Sequence, residues 1–163
     1  MKRTLASILL VVLTVQSLAA VGGKNAQYIG GTLKVKENTE GKLNTTHETL
    51  LIFETQGKEA VRAEIPYNAI VELEYGQKAG RRIGAAVGTS LLLGPIGLVT
   101  LFSKKRKHYL SVSYNDAEGK EQAGVFELGK DVIRTSLKVI ETRSGKDIIY
   151  QDEEARKSGV GGK

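Results

Sequence analysis

The residues able to carry acid–base or metal chemistry are few in this chain of 163 and lie far apart. Its two histidines are His47, beside Glu48, and His108; Glu72 and Glu74 bracket Leu73 and are followed by Tyr75; there is no cysteine. Nucleophilic catalysis needs a base within reach of the nucleophile, and paired carboxylates need a fixed gap across a substrate. Glu72 and Glu74 instead alternate with Val71, Leu73 and Tyr75, the pattern of a strand with one wet face, and His47 reads as a turn residue. Neither histidine has a second ligand type at a recognisable metal spacing. The residues predict no catalytic centre, no metal and no cofactor.

Charge is distributed less evenly. The formal net charge is +6, yet Lys78, Arg81, Arg82, Lys104, Lys105, Arg106 and Lys107 share one segment without Asp or Glu, which leaves 17 basic residues against 18 acidic ones elsewhere. Between the two clusters, residues 83–102 (IGAAVGTSLLLGPIGLVTLF) carry no charge. The tetrapeptide KKRK could serve nucleic acid, but few aromatic residues are at hand to stack bases and its neighbours are apolar. An anionic membrane surface fits better, since each nearby Lys or Arg contributes up to about 1 kcal/mol there.

The start, MKRTLASILLVVLTVQSLAA, has a charged head, an apolar stretch from about Leu5 to Val15 and small residues at its end. That is the pattern of a secretory signal peptide over residues 1–20, cleaved after Ala19 or Ala20; as a membrane anchor its apolar stretch is short. Export without cysteine leaves the apolar core alone to hold the fold, in the periplasm or outside the cell. Residues 21–27 read as a flexible lead-in and 148–163 as a disordered polar tail, with one domain over 28–147.

Within that domain, short strands are predicted. Leu33 and Val35, Leu50 to Phe53, Val61 with Ala63 and Ile65, and Val71 with Leu73 and Tyr75 supply the first half; Leu110, Val112 and Tyr114, then Ala123 to Leu128 across the loop Asn115–Gly119, supply the second. Ile133, Leu137 and Ile140 switch to helical spacing, with Asp131 placed to cap the helix and Gly145 to end it. In this order the motifs GGTLKV, LLIF, EIPYNAIVELEYG, HYLSVSY, GVFEL and ETRSGK resemble the GRAM and bacterial PH-like group over about residues 28–147. The resemblance implies a mainly β barrel of two sheets plugged by one C-terminal helix, binding a lipid or a protein partner and not catalysing a reaction.

The apolar run then falls between two strands of one sheet, as a helical or hairpin insertion. Twenty helical residues at about 1.5 Å each would reach across a bilayer core, so a single span is one reading. A single crossing, however, would divide the sheet. A chain reversal at Gly94, Pro95 and Gly97 instead lets Leu91, Leu92, Leu93, Ile96, Leu98 and Phe102 dip into one leaflet. Arg81, Arg82, Lys104, Lys105, Arg106 and Lys107 then meet anionic headgroups. Gly80, Gly84 and Gly88 form a small-residue series through which copies could pack. The third reading lays the run over the protein's own barrel.

Overall fold

Most of the alternating and β-branched runs become strands in the computed structural model, which describes residues 25–57, 59–77 and 107–160; the exception is Leu33 with Val35, expected as a strand, which lies in a bend after the first strand. In chain order they are β1 (Ala26–Gly31), β2 (Thr39–Asn44), β3 (Leu50–Thr55), β4 (Arg62–Pro66), β5 (Ile70–Gly76), β6 (His108–Asn115), β7 (Glu121–Leu128) and β8 (Ile148–Tyr150). They make one eight-stranded sheet of order β4-β3-β2-β1-β7-β6-β5-β8. Every strand pair is antiparallel except β5 with β8. The sheet is mixed and open, with β4 and β8 at its edges. Two short helices, α1 (Ile133–Ser144) and α2 (Glu153–Val160), follow β7 and β8. The protein is mainly β.

One apolar core joins both halves of the sheet. The rings of Tyr28, Phe53 and Phe126 sit with centroids 6.1, 5.8 and 5.5 Å apart, a separation at which tilted aromatic pairs attract. Ile133, Leu137 and Ile140, at the helical spacing read from the sequence, bring α1 into that core. Gly145 ends α1 at φ 66°, donating its N–H to the Glu141 carbonyl, a left-handed stop that glycine adopts at little cost. Asp131 does not cap the other end. Val132 holds the N-cap position and no side chain caps the helix.

Both presumed loose ends are ordered where they are described. Ala26 and Gln27, expected in a flexible lead-in, pair with β2 and β7, and Asn25 Oδ1 accepts the Leu43 N–H at 2.8 Å. Residues 148–160, expected as a disordered tail, form β8 and α2. Ile148 is buried opposite Leu73 of β5 and Ala155 is fully buried; Asp152 Oδ1 caps α2 by accepting the Ala155 N–H. Ile148 and Ala155 thus anchor a polar sequence, while Ile149 and Val160 stay exposed.

Alternation also failed locally. A bulge between Ile70 and Glu72 turns Val71 outward, 47 % exposed, and Val61 lies outside β4 at 40 %. On the side facing away from the core, Ile29, Ile52, Tyr109 and Val125 are nonetheless buried, although this face was expected to be wet.

Candidate functional site

Strands β5 and β6 pair along their length, with Ile70 opposite Tyr114 and Gly76 opposite Tyr109. Gln77 and His108, the next residues along, therefore meet at one end of the sheet, where the connection of residues 78–106 leaves and returns. Arg81, Arg82, Leu91, Leu92, Leu93, Ile96, Leu98, Phe102, Lys104, Lys105 and Arg106 lie outside the described residues. So do the turn residues Gly94, Pro95 and Gly97 and the series Gly80, Gly84 and Gly88. Lys107 is described, and its Nζ lies 2.8 Å from Glu127 Oε2 with both side chains part-exposed.

At this end Tyr75 and His108, 33 positions apart, come into contact: the Tyr75 hydroxyl is 2.6 Å from His108 Nδ1 and 3.0 Å from Ser158 Oγ. Ser158 in turn donates to the Ala155 carbonyl at 2.8 Å. One assignment uses every proton: His108 Nδ1–H donates to Tyr75, Tyr75 to Ser158, and Ser158 to the backbone. The chain of bonds ends on a carbonyl, so it braces α2 against β5 and β6. Burial pushes the Tyr75 phenol above its ordinary value. His108 is held below the usual histidine range, first by burial and next by the charge of Lys130, with Glu127 opposing.

Beside this brace lies a cleft of about 540 Å³ lined by Gln77, His108, Lys130, Asp131, Arg134 and Ser158, with Ile133 as its apolar wall. Arg134 Nε donates to the Ser158 carbonyl at 3.3 Å. The sequence marks Tyr75 and His108 separately and gives no sign of Gln77, Lys130, Arg134 or Ser158. Gln77 follows only from the register of β5 on β6; nothing local marks Ser158, which lies in the polar stretch after residue 147.

The other sequence candidates are not brought together. His47 stays in the β2–β3 loop, where its Nδ1 accepts the Thr49 N–H and its carbonyl accepts from Arg143. Glu72 and Glu74 stand opposite Ser113 and Ser111. Among the described residues no cluster of His, Asp or Glu could hold a metal, and no helix is long and apolar enough to cross a membrane. Comparison with known protein families, curated proteins and solved structures gave no match for this chain.

Proposed function

We propose that this chain is an exported, noncatalytic PH-like module that attaches peripherally to an anionic membrane surface through residues 81–107 and holds a lipid or protein partner. The observation that carries the reading is the pairing of β5 with β6. Because the two ends of the connection meet at one end of the sheet, an apolar run between them has to return to the side it left, which favours a dip into one leaflet over a single span. The strand order β4-β3-β2-β1-β7-β6-β5, with α1 following β7 and entering the shared core, supports the PH-like part. Basic residues on both flanks of the run then face the same lipid phosphates.

A second reading rests on the buried outer face. Ile29, Ile52, Tyr109 and Val125 are covered there, while both helices bury their side chains on the inner side; residues 83–102 laid over this face would account for it. Burial also pushes the Tyr109 phenol up to about 12.

Replacing residues 83–102 by a short polar link separates the two. For peripheral attachment, flotation with phosphatidylglycerol vesicles falls to background while the melting temperature holds. For the self-packed arrangement, the melting temperature falls and Tyr109 titrates near the ordinary tyrosine value. Vesicle binding that survives the deletion removes the basis of the membrane reading.

A further inference from the structure

We propose that the cleft between β5, β6 and the start of α1 binds a small phosphate ester carrying free hydroxyls, of which phosphoglycerol is the simplest. Three features select the phosphate. Lys130 and Arg134 have no carboxylate partner among the described residues. The bond from Arg134 Nε to the Ser158 carbonyl steadies the guanidinium and leaves its terminal nitrogens free to form the two parallel bonds that a phosphate accepts. Helix α1 begins at this cleft without a side-chain cap, and its first internal bond runs from Ser136 N–H to the Val132 carbonyl. The amides of its first turn and the positive end of its dipole therefore add to the two cations.

Three other features select the hydroxyls. Asp131 lines the same cleft and would repel an anion that had nothing to donate. The side-chain oxygen of Gln77 is buried without a hydrogen-bond partner among the described residues, a deficit that a donor reaching it from the cleft would relieve. With Nδ1–H committed to Tyr75, neutral His108 keeps Nε2 as an acceptor. At about 540 Å³ the cleft lies in the range of small-molecule sites and exceeds what a bare phosphate fills.

A phosphoglycerol group can come from a soluble ester or from the headgroup of an anionic lipid. Only the second source rests on the membrane reading above. The test uses the full chain with the apolar run intact, titrated with sn-glycerol 3-phosphate and, separately, with vesicles of phosphatidylglycerol or phosphatidylcholine. Binding is read by calorimetry and by amide shifts in residues 130–135. Saturable binding of the soluble ester, weakened at least tenfold in Lys130→Gln/Arg134→Gln and unchanged in Lys138→Gln, supports the site. Binding to phosphatidylglycerol alone supports it with the lipid as source if the same double variant weakens it. Lys130 and Arg134 are exposed, so the variant should keep its melting temperature. If it does not, Arg134→Lys, which keeps the charge but loses the paired bonds, must still weaken binding. Absence of binding to both probes, or binding that ignores these substitutions, overturns the proposal. Membrane attachment that survives the double variant but not removal of residues 83–102 overturns the lipid source while leaving peripheral attachment standing.

Discussion

Two connections in this sheet perform the same topological task at very different lengths. Residues 116–120 join β6 to β7, whereas residues 77–107 join β5 to β6, and both strand pairs are antiparallel neighbours. A hairpin needs only about two to five residues. In the short connection Asp116 is the side chain that organises the turn: its Oδ1 accepts the N–H groups of Glu118 and Lys120 and its Oδ2 accepts from Gln122, while Gly119 supplies φ 77°. At the long one, the junction is held by Tyr75, His108 and Ser158, residues brought together from distant parts of the chain. Pairing therefore requires almost none of residues 77–107. Their length, apolar middle and basic flanks exceed what pairing needs, and the cleft whose Lys130 and Arg134 have no carboxylate partner among the described residues lies at their base and not at the tight turn.

The contrast can be broken most strongly at Tyr75. It is fully buried, and Tyr75→Phe leaves His108 Nδ1–H without its acceptor and Ser158 Oγ without its donor. The expected loss in chemical denaturation is roughly 1–3 kcal/mol, with faster amide exchange in α2 than in the rest of the chain. If α2 keeps its protection, the brace does not hold it. A smaller loss is expected for Asp116→Ala, because water can replace the carboxylate at an exposed turn. Faster exchange should then be confined to residues 118–122; spread into β5 would show that the two connections are not independent.

The same contrast explains how much was legible in the sequence. Features set by a few adjacent residues were readable: the turn after β6, the α1 face of Ile133, Leu137 and Ile140, and the stop at Gly145. Features that depend on distant partners were not. Ile148 and Ala155 sit in a stretch too polar to mark as structure, yet β5 and the core bury them. Asp131 looked like a cap from its position, but the chain places Val132 there. Tyr75 and His108 were each visible as chemistry-bearing residues; their contact follows only from the register of β5 on β6, and Ser158 only from the docking of α2. Lys130 and Arg134 carry no motif, because what distinguishes them is the absence of a carboxylate partner among the described residues in three dimensions.

The smallest expected effect separates the two connections by pH. His108 has its folded value below the ordinary 6.5, so near that pH the unfolded chain binds the proton more readily than the folded one. Its contribution is present above 6.5 and is lost as pH falls through 6.5 toward the folded value. Asp116 is likewise held low, chiefly by the N–H of Lys120, but against an ordinary value of 3.8; its contribution is lost only as pH falls through that lower range. On acidification the long junction should loosen first and the tight turn later, read as amide exchange at Gln77 and His108 against Glu118 and Lys120 between pH 7 and 3. Lys130→Gln removes the second cause of the low His108 value, so its loss between pH 7 and 5 should shrink without changing the behaviour of the turn. Loosening of the turn before the junction would mean that His108 is not shielded at the base of the long connection, and the distinction between a self-contained turn and a braced junction would fail there.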